Sequence, residues 1–161
     1  MRQDIRLTTL IHENMAVVMT FAFSREPLIA LMSTHFHGEW KYLRKFVFEI
    51  PEERATRAAV ELAAFFRLLD DDQKLAGYLK EVSPWRSFGT VFDQQGDRSD
   101  LLMREVANKI IHSANLEWDF SSPKNPKLVS YASQEQQPRY NWTRAEIRIV
   151  DFAAFCGELM S

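Results

Sequence analysis

The chain has 161 residues, 46% of them hydrophobic with 12 Phe and 4 Trp, which is enough for one sizeable core and points to a single domain over 1–161. Its 20 basic residues are scattered among 22 acidic ones for a formal net charge of −2, so no global positive field favours nucleic acid as a partner. The single cysteine, Cys156, excludes an internal disulfide and lies in the apolar run Phe152-Ala153-Ala154-Phe155-Cys156, where a buried thiol in a reducing, cytoplasmic setting is expected.

Met1 to Arg6 is followed by no apolar signal region or small-residue cleavage pattern. The longest greasy stretch, Met15 to Phe23, is far shorter than the roughly 20 residues of a membrane span, so no membrane association is expected. A first helix is predicted over Ile5–Ser24 from the spacing of Ile5, Leu7, Leu10, Ile11, Met15, Val18 and Met19, although Met15-Ala16-Val17-Val18-Met19 also suits a strand. A second, short helix over Arg25–Ser33 follows, then a break at Thr34-His35-Phe36-His37-Gly38 and renewed apolar periodicity from Trp40 to Phe48. His35 and His37, with Glu39 beside them, offer metal-ligating atoms, but no third ligand stands at a recognised spacing, so a solvated loop without metal or cofactor is expected.

Pro51 opens the clearest helix, with Glu52 and Glu53 well placed for its dipole. The stripe Ala55, Ala58, Ala59, Leu62, Phe65, Phe66 and Leu69 carries it to about Leu69, where Asp70-Asp71-Asp72 is expected to interrupt it. Gln73–Val82 reads as another helix closed by Ser83-Pro84, and Trp85–Gly96 as a loop holding a short extended piece at Thr90-Val91-Phe92. Asp97 and Asp100 resemble a capping pair for a helix ending near His112 or Ser113, with Asn115 in a left-handed turn beyond it.

The period then changes. Leu116–Phe120, Lys127–Ala132 and Ala145–Ile149 are predicted as a three-stranded meander, joined by the turn Ser121–Pro126 and the polar loop Gln134–Pro138, before Asp151–Met160 returns to helix. The expected fold is α+β, mainly α: a helical bundle over 1–114, a small C-terminal antiparallel β-meander over 115–150 and a final helix over 151–160. Five glycines form no phosphate-binding loop, and no repeat is present.

Arg104, Asn108 and His112 stand at four-residue steps, each drifting about 40° from the last, beside the apolar residues Met103, Val106, Ala107, Ile110 and Ala114. The segment Asn108-Lys109-Ile110-Ile111-His112 resembles the helical motif of the HEPN superfamily of nucleotide-binding domains and ribonucleases. That resemblance implies a helical bundle, paired protomers and metal-independent RNA cleavage, with His112, Asn108 and Arg104 at the site. The family's Arg position is Ala107 here, and seven residues separate Arg104 from His112; an alanine methyl supplies no donor for phosphate or for developing charge. The same stripe also suits a structural role, with His112 against the carbonyl end of the helix and hydrogen-bonded to Asn108 or to the following turn.

A second set of candidates suits a basic protein partner: Asp70, Asp71 and Asp72, Glu52 and Glu53 at the other end of the same helix, and Trp118 and Trp142 as aromatic anchors. The function expected from these features is non-enzymatic protein binding, in its sharpest form an immunity or antitoxin protein that neutralises a nuclease toxin. The alternative is a HEPN-like metal-independent ribonuclease acting as a dimer.

Overall fold

A computed structural model describes residues 2–35, 42–83 and 85–160. Helix α1 (Arg2–His35) is followed by a π-helical segment (Lys45–Glu49) that runs into α2 (Ile50–Gln73) and then α3 (Leu75–Val82). A hairpin of β1 (Gly89–Phe92) and β2 (Arg98–Asp100) precedes α4 (Met103–Ile111), after which come β3 (Ser113–Asp119), β4 (Lys127–Ala132), a short α5 (Gln136–Tyr140), β5 (Arg144–Arg148) and α6 (Ile149–Met160). The fold is α+β: an N-terminal helical pair, then a five-stranded antiparallel sheet in the order β2-β1-β5-β4-β3, and a final helix.

The core joins all of these layers. Phe66 of α2 meets Phe152 and Phe155 of α6 with ring centroids 5.5 and 5.7 Å apart, and Phe155 meets Phe88, just before β1, at 5.3 Å. The inward stripe of α2 is buried as its periodicity requires, with Ala55, Ala58, Ala59, Leu62 and Phe66 at 3% exposure or less.

Several expectations are corrected. Residues 5–24 and 25–33 form one helix, because α1 runs through Pro27. An interior proline removes one backbone hydrogen bond, but its ring lies on the exposed side and the residues beyond it, Leu28 and Met32, are half-buried against the returning chain. As one helix, Leu7–His35 is long and apolar enough to cross a membrane by length and composition, with mean hydropathy 1.4 over its most apolar 18 residues, of which 22% are buried. Asp70-Asp71-Asp72 does not interrupt α2: Arg67 neutralises Asp71 one turn away at 3.5 Å, and the helix ends at Lys74, whose left-handed conformation (φ 51°) turns its N–H onto the Asp70 carbonyl at 2.9 Å.

The meander is larger than the periodicity indicated. Arg98-Ser99-Asp100 pairs with Thr90–Phe92, so Asp100 belongs to a strand and Leu102, which offers no side-chain cap, opens α4. Asp93 shapes the intervening turn by accepting from the backbone N–H groups of Gln95 and Asp97 at 2.9 and 2.8 Å. β3 begins at Ser113 with an irregularity between Ser113 and Asn115, which puts Asn115 in the strand and not in a left-handed turn.

Gly89 locks β1 to β5. Its φ is +155°, and a Cβ there would sit 1.8 Å from the Glu146 carbonyl oxygen on the neighbouring strand. Gly89→Ala is therefore expected to lower unfolding stability by at least about 3 kcal/mol in a urea titration, since both the strain and the lost pairing act together. A loss below about 1 kcal/mol would mean that β1 does not pair with β5 in this register.

Candidate functional site

The polar stripe of α4 faces α2. Arg67 donates through Nη1 to the side-chain oxygen of Asn108, and its Nε lies 3.5 Å from Asp71. Arg104 Nε is 3.6 Å from the Asp70 carboxylate, whose side chain is only 10% exposed. Two elements distant in sequence thus interleave their charges, Arg67, Asp70 and Asp71 from one and Arg104 and Asn108 from the other. His112 stands apart at the C-terminal end of α4, exposed, with its backbone N–H bonded to the Asn108 carbonyl at 3.0 Å. Of the two partners expected for His112, Asn108 or the following turn, the Asn108 side chain instead accepts from Arg67. Ala107, where the HEPN motif carries Arg, is 4% exposed in the core.

The residues proposed for a basic partner do not form one surface. Glu52 and Glu53 occupy the first turn of α2 and Asp71 and Asp72 its last, about 28 Å apart at the rise of an α-helix. Trp142 is 2% exposed, with Lys109 Nζ 4.4 Å above its ring, so the structure gives it to the core and not to a partner. Trp118 is half-buried; its indole N–H donates to Thr56 Oγ1 at 2.9 Å, and its ring meets Phe21 edge-on at 5.0 Å. It fastens β3 to the helical pair. Trp85, by contrast, is 90% exposed.

His35 is exposed and shares a 2.7 Å hydrogen bond with Thr34, whereas His37 and Glu39 lie outside the described residues. Among the described residues no group of three His, Cys, Asp or Glu could hold a metal ion. Cys156 is buried as expected, and that burial pushes its thiol up to about 12, so it carries no appreciable thiolate near neutral pH.

A feature without a counterpart in the sequence reading lies on the helical pair. Between α1 and the π-helical segment runs a groove of about 760 Å³. One wall is an α1 stripe, Val17, Thr20, Ser24 and Leu28, and the other carries Phe46 and Val47. Phe46 is 64% and Val17 39% exposed. The wider π turn, closed by the Ile50 N–H on the Lys45 carbonyl, offsets these side chains from the α-helical progression and sets Phe46 on the groove wall. The opposite face of the pair is also incompletely covered. The buried stripe Ile11, Met15, Val18 and Ala22 leads on to Ile29, which is 48% exposed, while Arg25 is held between the rings of Phe120 and Phe48 at 4.7 and 5.2 Å. The one sequence signal for this groove is that α1 carries apolar side chains on more than one face, as a helix with two sets of partners does.

The polar seam fixes a contrast between two substitutions. Arg67→Met is expected to cost about 1 kcal/mol by chemical denaturation, because Asn108 and Asp71 both lose their donor, while His112→Ala stays within about 0.5 kcal/mol of the parent. The reverse order would show that His112, and not Arg67, holds the end of α4. No protein-family model, curated protein or solved structure matches the chain.

Proposed function

We propose that this chain is a protein-binding protein that receives an apolar helix of its partner in the groove between α1 and the π-helical segment. The observation that carries this reading is the exposed Phe46 on a π turn, facing the Val17–Leu28 stripe across the groove. A helix laid between two others buries side chains at i, i+3 or i+4, and i+7, and the spacing of Val17, Thr20, Ser24 and Leu28 offers matching positions. Thr20 and Ser24 are small, so they let a partner helix approach closely. Covering Phe46 alone contributes roughly 1–2 kcal/mol.

In its sharpest form the partner is a basic nuclease toxin and the chain its immunity or antitoxin protein. Glu52 and Glu53, in the first turn of α2 beside Pro51 and Arg54 of the groove, are the carboxylates placed to meet such a partner. Asp70 and Asp71 are engaged by Arg104 and Arg67 at the other end of the helix.

The test is affinity capture from native-host lysate, followed by binding measurements with the recovered partner. One stoichiometric protein is expected, and Phe46→Glu should weaken its binding at least about tenfold while leaving the melting temperature unchanged, as removal of an exposed contact does. Glu53→Lys should slow association with a basic partner and reduce its salt dependence. The reading fails if no partner is recovered, or if Phe46→Glu binds like the parent. It also fails if the purified protein cleaves RNA without metal and His112→Ala abolishes that cleavage.

A further inference from the structure

At the far end of α2 from the groove, a separate cavity of about 280 Å³ lies between α3 and the first turn of α4. Its interior is apolar: Phe88 is 1% and Met103 6% exposed, and Leu79 and Leu102 form its sides. Leu102 occupies the first cap position of α4, where Ser, Thr, Asp or Asn would normally supply an acceptor, and it leaves instead a leucine 48% exposed at the cavity.

Three cationic side chains surround this apolar interior: Lys80, Arg86 and Arg104. They are not equivalent. Arg86 is committed, with both terminal nitrogens on the Glu158 carboxylate at 2.5 and 2.9 Å and its guanidinium lying against Phe88 and Phe155. It forms a neutralised wall. Arg104 meets Asp70 only through Nε at 3.6 Å, and Lys80, exposed on α3, has no ion-pair or hydrogen-bond partner among the described residues. The one carboxylate in the lining, Glu105, is held 3.2 Å from Lys109. The mouth therefore carries one uncommitted positive charge, Lys80, above an apolar interior, with Arg104 beside it paired to Asp70.

We propose that this cavity binds a small amphipathic anion: a carboxylate on an apolar body, about ten non-hydrogen atoms in all. The size places it at the lower limit of ligand pockets. The body lies against Leu79, Phe88, Leu102 and Met103, and the head stands at the mouth on Lys80. A straight-chain acid and the carboxyl-terminal residue of an apolar peptide share this chemistry, and octanoate and N-acetylleucine are the probes that separate them.

The experiment is a titration of the full ¹⁵N-labelled chain followed by amide chemical shifts. At least one of the two acids should saturate with a dissociation constant about millimolar, as expected for a ligand of this size, with shifts confined to residues 79–88 and 102–105. The tighter acid identifies the source. Octanol, which keeps the body and loses the charge, should bind about tenfold more weakly than octanoate, and acetate should not saturate. Lys80→Gln should weaken the better acid about three- to tenfold and Leu102→Asp should abolish its binding, each with the dispersed spectrum of the folded chain. Phe46→Glu in the distant groove should leave the titration unchanged, which separates this site from the protein-binding reading. The proposal is overturned if neither acid saturates, if octanol matches octanoate, if the shifts fall elsewhere, or if a folded Lys80→Gln chain binds like the parent.

Discussion

The contact on which the rest of the molecule depends is the meeting of Phe66 with Phe152 and Phe155, extended by Phe88. Each ring is 2% exposed or less, and each contributes roughly 2–3 kcal/mol by leaving water, with further gain from edge-on packing. Phe66 lies nearer the C-terminal end of α2 than its start, so this cluster fixes one part of a 24-residue helix. The two ends of that helix are then free to have different surroundings: α4 and α3 at one end, and α1, the π-helical segment and, through Trp118 on Thr56, β3 at the other.

The C-terminal end is set by polar contacts that stabilise little by themselves. Each ion pair has one partner more than half exposed, Asp71 against Arg67 and Arg104 against Asp70, and at 3.5 and 3.6 Å such solvent-screened pairs contribute about 1 kcal/mol. Their value is directional. Arg67 on Asn108 and Arg104 on Asp70 fix the register of α4 against α2, while the Ser130 hydroxyl donates to the Lys109 carbonyl at 2.5 Å and fixes the same helix on the sheet beneath. A helix of nine residues held from two sides can form one wall of a cavity without depending on its intrinsic helicity.

Periodicity made α2, α6 and β5 legible, because each carries a stripe that a single buried face dictates, whereas β4 is buried on consecutive residues and was legible from its run of apolar and β-branched residues. Periodicity did not reveal β2, whose Arg98-Ser99-Asp100 is wholly exposed and owes its conformation to hydrogen bonds with β1. The division expected between Ser24 and Arg25 fails for the opposite reason: packing on both sides of that point, and beyond Pro27, carries α1 onward as one helix. The stripe Arg104-Asn108-His112 correctly marked a polar face of α4. Its partner Arg67 lies 41 residues from Asn108, a pairing that no local spacing encodes. The groove itself was not legible because the apolar spacing up to Phe48 does not tell a π turn from an α turn, and it is the π turn over Lys45–Glu49 that carries Phe46.

The direct passage from β5 to α6 has a kinetic consequence. Arg148 is the last residue of the strand and Ile149 the first of the helix, so the aromatic cluster closes only when the sheet has an ordered inner strand. Phe66 meets Phe155 across roughly ninety residues of chain, a costly loop to close early. During synthesis the paired helices α1 and α2 therefore emerge with their apolar faces open long before α6 exists to cover them. That interval makes the nascent helical pair the point at which a chaperone can engage the chain before it has finished folding.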